Sequence, residues 1–355
     1  MKVVVDCRYV RLGRHDGISR FTASLVAELA QRHPLTMLIS DERQLEKLPE
    51  LPWALGPSTT GIGELFTART VNRLRPDVVF SPMQTMGSLG RRYRLILTLH
   101  DLIYYSARTP PRDLNPLIRA LWRLYHLAWW PQRLMLNRAD AVVTVSETTR
   151  QAMLRRRLTR RPITVVPNAA GLPHGGQPRP VPEGRELVYM GSFMPYKNVE
   201  VIAAALHELP GYRLHLMSAI GPRDRERLAA AAPAGSLVFH DGASDEEYAA
   251  ALRSATALVT ASQAEGFGIP VIEAMSVGTP AVVSDIPIFR EICGEAAVYF
   301  PVRDAGGLAR AIRGLAEEPG EWQRRSALAL RQAERFSWAS SAQRLLELMR
   351  SLAEA

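Results

Sequence analysis

Cysteine, lysine and long apolar runs are what this chain has little of. Cys7 and Cys293 are its only cysteines in 355 residues and lie far apart, which excludes a disulfide framework and any cysteine-based metal spacing. Both are expected to be buried thiols in a reducing compartment. No apolar run approaches the roughly 20 residues that span a bilayer. Met1-Lys2 leads directly into Val3-Val4-Val5-Asp6-Cys7, too short for the apolar core of a signal peptide, so a cytoplasmic protein is expected. No strand candidate is followed by Gly-x-Gly-x-x-Gly, which counts against a dinucleotide oxidoreductase. Asp and His do not cluster as ligands would, and no metal is expected. After Lys47 the chain uses arginine everywhere except at Lys197.

What is present points to two α/β domains. An apolar content of 47% and a charged content of 22% are ordinary for a globular protein, and the length suits two cores better than one. Short apolar runs alternate with helix-length segments, the signature of parallel sheets covered by helices on both faces. Strands are expected near 3–7, 35–39, 78–81, 95–100, 141–146 and 163–167, and again near 187–191, 213–218, 237–240, 256–262, 281–285 and 297–300. Amphipathic helices are expected over 321–335 and 341–349. Residues 168–182 are rich in Gly and Pro and form a linker. The domains are therefore 1–170 and 183–335, with 171–182 between them and 336–355 as a terminal segment. Two doubly wound domains on one linker make a cleft, and ligands are expected beyond the carboxyl ends of the strands.

The densest chemistry is in Ala264-Glu265-Gly266-Phe267-Gly268-Ile269-Pro270-Val271-Ile272-Glu273-Ala274-Met275. The glycines loosen a loop after a strand, and Pro270 suits a first helical turn. Unpaired N–H groups at such a helix start favour an anion. Glu265 is expected on the loop and Glu273 in the first helical turn, so that two carboxylates face one pocket. The alternative is that Glu273 only complements the helix dipole. Lys197, in Tyr189-Met190-Gly191-Ser192-Phe193-Met194-Pro195-Tyr196-Lys197-Asn198, supplies a compact cation at a strand-to-helix junction. His100-Asp101 stands at the carboxyl end of another strand. Gly17 lies in a polar loop, 11–21, that opens a helix.

Charge is uneven. Residues 1–170 hold 26 Lys+Arg against 13 Asp+Glu, while residues 171–355 hold 18 against 22. The basic half suits an anionic surface or substrate. Arginines gather at 91–94, at 112–138 and at 155–161, the second group interleaved with Trp122, Trp129 and Trp130. That segment reads either as a basic helix on a membrane or as a core helix with an arginine face.

Taken together, Gly17-Ile18-Ser19-Arg20-Phe21, His100-Asp101-Leu102, Val145-Ser146-Glu147, Val166-Pro167-Asn168, Gly191 with Lys197-Asn198, and Glu265-Gly266-Phe267-Gly268 with Glu273-Ala274-Met275 resemble family 4 of the retaining, nucleotide-sugar-dependent glycosyltransferases. The match runs in order through nearly the whole chain and is closest to the subgroup labelled mannosyltransferases. The resemblance implies a GT-B fold: an acceptor domain, a donor domain, and a last helix returning to the first. It implies that Lys197 neutralises the donor diphosphate and that Glu273 bonds the ribose. Glu265 and the amides of Gly266, Phe267, Gly268 and Ile269 hold the sugar hydroxyls. His100 sits near the reacting sugar, and the Gly17 loop reaches the phosphates. Many relatives carry an arginine where this chain has Ser192, which weakens the diphosphate clamp. The resemblance implies no cofactor beyond a nucleotide-sugar co-substrate, with GDP-mannose as first donor and a UDP-sugar as the alternative. The expected acceptor is a glycan or a lipid-linked glycan, with the basic half on an anionic membrane surface at the inner face of the plasma membrane.

Two rival classes differ in what they need. A glycosidase would use Glu265 and Glu273 about 5 to 9 Å apart, but its substrate offers no anion to helix-start amides. A nucleic-acid-binding module would need an aromatic-basic signature that is missing here, so no nucleic-acid partner is expected.

Overall fold

The computed structural model describes residues 1–13, 17–107, 110, 116–172, 180–318 and 320–354. His15 and Asp16 of the glycine-containing loop, Arg112, and residues 173–179 of the proposed linker lie outside them. The chain divides into two compact units, Met1–Asn168 with Ser337–Ala355, and Ala169–Phe336.

The first unit carries strands β1 (Val3–Asp6), β2 (Leu35–Ile39), β3 (Trp53–Leu55), β4 (Val78–Ser81), β5 (Arg94–Leu99), β6 (Ala141–Thr144) and β7 (Ile163–Val165). They form one sheet in the order β3-β2-β1-β4-β5-β6-β7, and every pairing is parallel. The central strands are apolar runs buried at every position, as in β1, β4 and β6. A parallel sheet covered on both faces demands that composition. The second unit repeats the plan with β8 (Glu186–Tyr189), β9 (Arg213–Leu216), β10 (Leu237–Phe239), β11 (Ala257–Thr260), β12 (Ala281–Ser284) and β13 (Val298–Phe300), ordered β10-β9-β8-β11-β12-β13. Each sheet reverses its winding once, between β1 and β4 and between β8 and β11. Such a switch point leaves a crevice at the carboxyl ends of the two strands, where doubly wound sheets hold ligands.

All twelve expected strands are present, and β3 is additional. It is a three-residue edge strand that leaves Trp53 and Leu55 exposed, so no buried apolar run announces it. The helix Glu321–Ala333 is tied to the second sheet by Trp322, fully buried, whose Nε1 donates to the Thr256 carbonyl at 2.8 Å. The last helix, Trp338–Glu354, belongs to the first unit. It packs on the helix Gly17–Ala30 and on β4, and Ser341 Oγ donates to the Pro167 carbonyl at 2.7 Å.

Candidate active site

In the second unit the switch point gathers the loops that follow β8 and β11. Lys197 ends a single helical turn, Pro195–Lys197, in the first loop, and Glu265 lies in the second. Their side chains meet, Lys197 Nζ donating to Glu265 Oε1 at 2.5 Å, with 17% and 12% of each side chain exposed. Ser262 Oγ donates to the same oxygen at 2.7 Å. Two residues 68 apart in sequence thus form a charge-assisted hydrogen bond, which is shorter and stronger than a neutral one. A semi-enclosed site holding one cation and one carboxylate can take a ligand with an anionic group beside hydroxyls.

Neighbouring side chains hold these loops in place. Asn198 adopts a left-handed conformation, φ 55°, and its Nδ2 donates to the carbonyls of Ala261 at 3.2 Å and Val302 at 2.8 Å, tying the loops after β8, β11 and β13 together. Tyr189 donates its hydroxyl to the Ser192 carbonyl at 2.6 Å. Burial pushes that phenol well above its ordinary pKa, with Glu265 adding to the effect, so it remains a proton donor. Gly191 N donates to Ser218 Oγ at 3.1 Å. Tyr189, Ser218 and Ser262 escape sequence reasoning because single hydroxyls near a strand end carry no pattern.

Gly268 caps the helix Ile269–Ser276 in a left-handed conformation, φ 105°. A Cβ there would also stand 2.9 Å from a ring carbon of Phe289, so backbone and packing both require glycine. Pro270 is the second helical residue, as its missing N–H allows. Glu273 is the fifth, which corrects the expectation of a first-turn carboxylate: the helix opens at Ile269, after the left-handed cap, and Glu273 falls in its second turn. It is 2% exposed. Phe267 is 4% exposed, and its ring packs edge-to-face on Phe336 at 5.5 Å.

In the first unit, His100 follows β5 and is half-buried. Its Nε2 bonds the Pro82 carbonyl at 2.8 Å, and Phe21 packs edge-on against the imidazole at 4.9 Å. A carbonyl can only accept, so Nε2 carries a proton. Asp101 Oδ1 accepts from Ile103 N at 2.9 Å at the start of the short helix Ile103–Ser106. Gly17 is the first residue of its helix.

The basic, aromatic segment is two helices, Pro116–Tyr125 and Trp130–Asn137. Trp122 and Trp129 are half-buried in an aromatic cluster. Trp122 packs on His126 at 3.9 Å and Tyr104 at 5.0 Å, and Trp129 stacks on Tyr105 at 3.9 Å with the Arg156 guanidinium 5.2 Å above its ring. Trp130 is the outward one, 65% exposed, beside Leu134 and Leu154 at 50% and 45%. These three line a recess rimmed by Arg133, Arg157, Arg160 and Arg161. The 91–94 cluster is partly neutralised, since Arg91 and Arg94 reach Asp140 at 2.7 and 3.7 Å. Among the described residues no helix is long and apolar enough to cross a membrane.

Comparison with known proteins bears on both units. The family model for glycosyl transferases group 1 matches residues 177–335, and that for Glycosyltransferase Family 4 matches residues 15–170. A phosphatidyl-myo-inositol mannosyltransferase of Mycolicibacterium smegmatis is 34% identical over 171 residues, 46% of this chain and 43% of that protein. The chain spans less than half the length of that curated relative. Among solved structures, a sucrose-phosphate synthase from Thermosynechococcus elongatus superposes with a TM-score of 0.76 at 18% identity, covering 99% of this chain and 98% of its own. HepE of Anabaena, in complex with UDP-glucose, does so with a TM-score of 0.74 at 16% identity, covering 99% and 100%. At such identities the superpositions establish the GT-B fold alone. The two family models between them account for nearly all of the sequence, one for each unit, and the chain belongs to the family 4 glycosyltransferases.

Proposed function

We propose that this chain transfers a hexosyl group, with retention at the anomeric carbon, from a nucleotide sugar to a glycan or lipid-linked acceptor held at an anionic membrane surface. The observation that carries the proposal is the Lys197–Glu265 pair at the switch point of the second unit. Before a donor enters, each group satisfies the other. A nucleotide sugar brings a diphosphate and a hydroxylated ring joined at one carbon, so it can take both partners at once. Lys197 turns to the diphosphate and Glu265 to the sugar hydroxyls, with the backbone amides of Gly266 to Ile269 beside it. Glu273 takes the ribose, and the Gly17 loop adds its backbone to the phosphates.

The bond from the anomeric carbon to the phosphate oxygen breaks as the bond to the acceptor oxygen forms on the same face. The acceptor proton passes to the departing phosphate, so no covalent enzyme intermediate and no metal are needed. The protein contributes position and charge, and removal of one preorganised electrostatic group typically costs about 10² to 10³ in rate. His100, with Nε2 protonated, stands near the reacting sugar on the acceptor side. The mannosyltransferase relative supports mannose as the sugar, with GDP-mannose as first donor; the UDP-glucose complex of HepE supports a UDP-sugar as the second reading.

A lysine about 4 Å from a phosphate charge is worth roughly 4 kcal/mol near a protein surface before desolvation. Lys197→Ala and Glu273→Gln are therefore each expected to weaken donor binding at least about tenfold in calorimetry, with melting temperatures nearly unchanged. A donor screen across GDP- and UDP-sugars in EDTA, with NMR of the product anomer, tests the reaction. Unchanged donor affinity in both variants removes the site assignment; an inverted product or full metal dependence removes the mechanism.

A further inference from the structure

The first unit contains a buried charged cluster with no place in the scheme above. Asp6 ends β1 with no exposure and Arg8 is 4% exposed. The guanidinium forks onto Asp6, Nε to Oδ1 at 2.8 Å and Nη2 to Oδ2 at 2.9 Å. Its Nη1 also donates to Glu64 Oε2 at 2.6 Å, to the Pro57 carbonyl at 3.0 Å and to Thr67 Oγ1 at 3.2 Å. Burial alone would lower the pKa of Arg8, but Asp6 and Glu64 more than offset it and hold the group charged. Two carboxylates around one cation are an expensive way to brace a fold, since well-packed apolar residues often do as well.

The cluster and its neighbours bond to one segment, residues 81–87, the end of β4 and the loop that follows it, across the switch point from β1. Ser81 Oγ donates to Asp6 Oδ2 at 3.2 Å, Tyr9 donates its hydroxyl to the Thr85 carbonyl at 3.2 Å, and Gly87 N donates to Glu64 Oε1 at 2.7 Å. The approach at Gly87 is so close that a Cβ would stand 1.7 Å from the Glu64 carbonyl oxygen. From the opposite side, Thr98 Oγ1 donates to the Ser81 carbonyl at 2.8 Å and Thr98 N to the Met83 carbonyl at 3.1 Å. Within this clamped segment the Pro82 carbonyl is the acceptor for His100 Nε2.

We infer that Asp6, Arg8 and Glu64 are positioning residues for His100: by pinning both ends of segment 81–87 they hold the Pro82 carbonyl where it fixes the Nε2–H tautomer of the imidazole. The inference rests on the proposed role of His100 in transfer, but the tautomer can be observed without any donor.

The test uses the full chain with ¹⁵N-labelled histidine, following the His100 imidazole by NMR across pH in wild type, Arg8→Lys and Glu64→Gln. Arg8→Lys keeps the cation and loses the fork; Glu64→Gln keeps the shape and loses the charge. Wild type is expected to show one tautomer, Nε2–H. Each variant should show mixed tautomers and a shifted His100 titration, with kcat lowered about tenfold and donor Kd changed less than about twofold. Should either variant not fold, Tyr9→Phe removes one clamp on Thr85 at small structural cost and is read the same way. Lower melting temperatures with the tautomer and titration of His100 unchanged overturn the inference and leave a structural brace. A tautomer that responds in a chain with no transferase activity toward any donor would instead remove the proposed function and leave the positioning role standing.

Discussion

Ser192 is the residue at which this chain departs from the pattern its family resemblance implies, and the structure shows what the departure leaves. Its carbonyl is taken by the Tyr189 hydroxyl, which fixes the backbone without adding charge. Arg227 reaches the next carbonyl, that of Phe193, at 3.5 Å, but it is held by Glu200 at 2.5 Å and Asp224 at 2.8 Å. It is thus a poor substitute for a free cation beside a diphosphate. Ser192→Arg is therefore expected to tighten binding of the nucleoside diphosphate by about three- to tenfold, an attraction on the order of 1 kcal/mol after solvent screening. Titration calorimetry with GDP and UDP checks it, and equal or weaker binding would mean that the loop after β8 does not face the phosphates. At this scale the sequence is legible where spacing imposes a role. Lys197 and Glu265 are recognisable as a lone lysine and a glycine-flanked carboxylate, and the structure pairs them. The turn occupied by Glu273 is not legible, because only the φ of Gly268 shows where the helix begins.

Elements are legible to the extent that burial writes them. Parallel strands buried on both faces are continuous apolar runs, so twelve can be placed to within a residue or two at most ends, whereas β3, an exposed edge, cannot. The segment 116–137 shows the opposite limit. Its arginines and tryptophans suggest one continuous basic helix, but Pro131, second residue of Trp130–Asn137, cannot supply the N–H that a continuing helix needs. The chain breaks at 126–129 and gathers Trp122, His126 and Trp129 against Tyr104 and Tyr105, while Trp130 faces outward. His126 is at the centre of that cluster, 7% exposed, its Nδ1 donating to the Trp122 carbonyl at 2.8 Å and its ring 5.0 Å from those of Tyr105 and Tyr125. Burial depresses its pKa below the ordinary histidine value. A histidine depressed in the folded state stabilises the fold above its unfolded pKa, and that contribution falls away as pH drops through about 6.5 and below. Between about pH 7 and pH 5 the helix pair should therefore loosen before the sheets do. Tryptophan fluorescence should shift red over that range in wild type and much less in His126→Phe. Identical profiles would show that the cluster tolerates the charged imidazole.

Across the whole molecule the excess of basic residues lies in 1–170, with 26 Lys+Arg against 13 Asp+Glu, and the fold decides which of them act together. Arg91 and Arg94 share Asp140. Arg133 spends its guanidinium on the carbonyls of Arg156 at 2.9 Å and Arg157 at 3.2 Å, closing the helix Glu147–Arg155, and Arg156 covers Trp129. Arg157, Arg160 and Arg161 are exposed around Trp130, Leu134 and Leu154, Arg161 also donating to the Asn137 carbonyl at 3.1 Å. Arginine next to exposed Trp and Leu has the chemistry of a bilayer interface, where the ring and aliphatic groups enter the headgroup layer and each cation adds about 1 kcal/mol near anionic lipid. Three such cations give a total of about 3 kcal/mol, enough for reversible attachment and too little for permanent anchoring. The chain is therefore expected to co-sediment with vesicles containing anionic lipid, not with neutral ones, and to be released at high salt as the Debye length shrinks. Replacing Arg157, Arg160 and Arg161 by alanine should abolish the binding, and Trp130→Ser should weaken it several-fold. Trp122→Phe, inside the aromatic cluster, should leave it unchanged. Equal recovery in the supernatant with every vesicle and salt would leave a soluble acceptor as the substrate of the same site, and the arginines as a solvated surface.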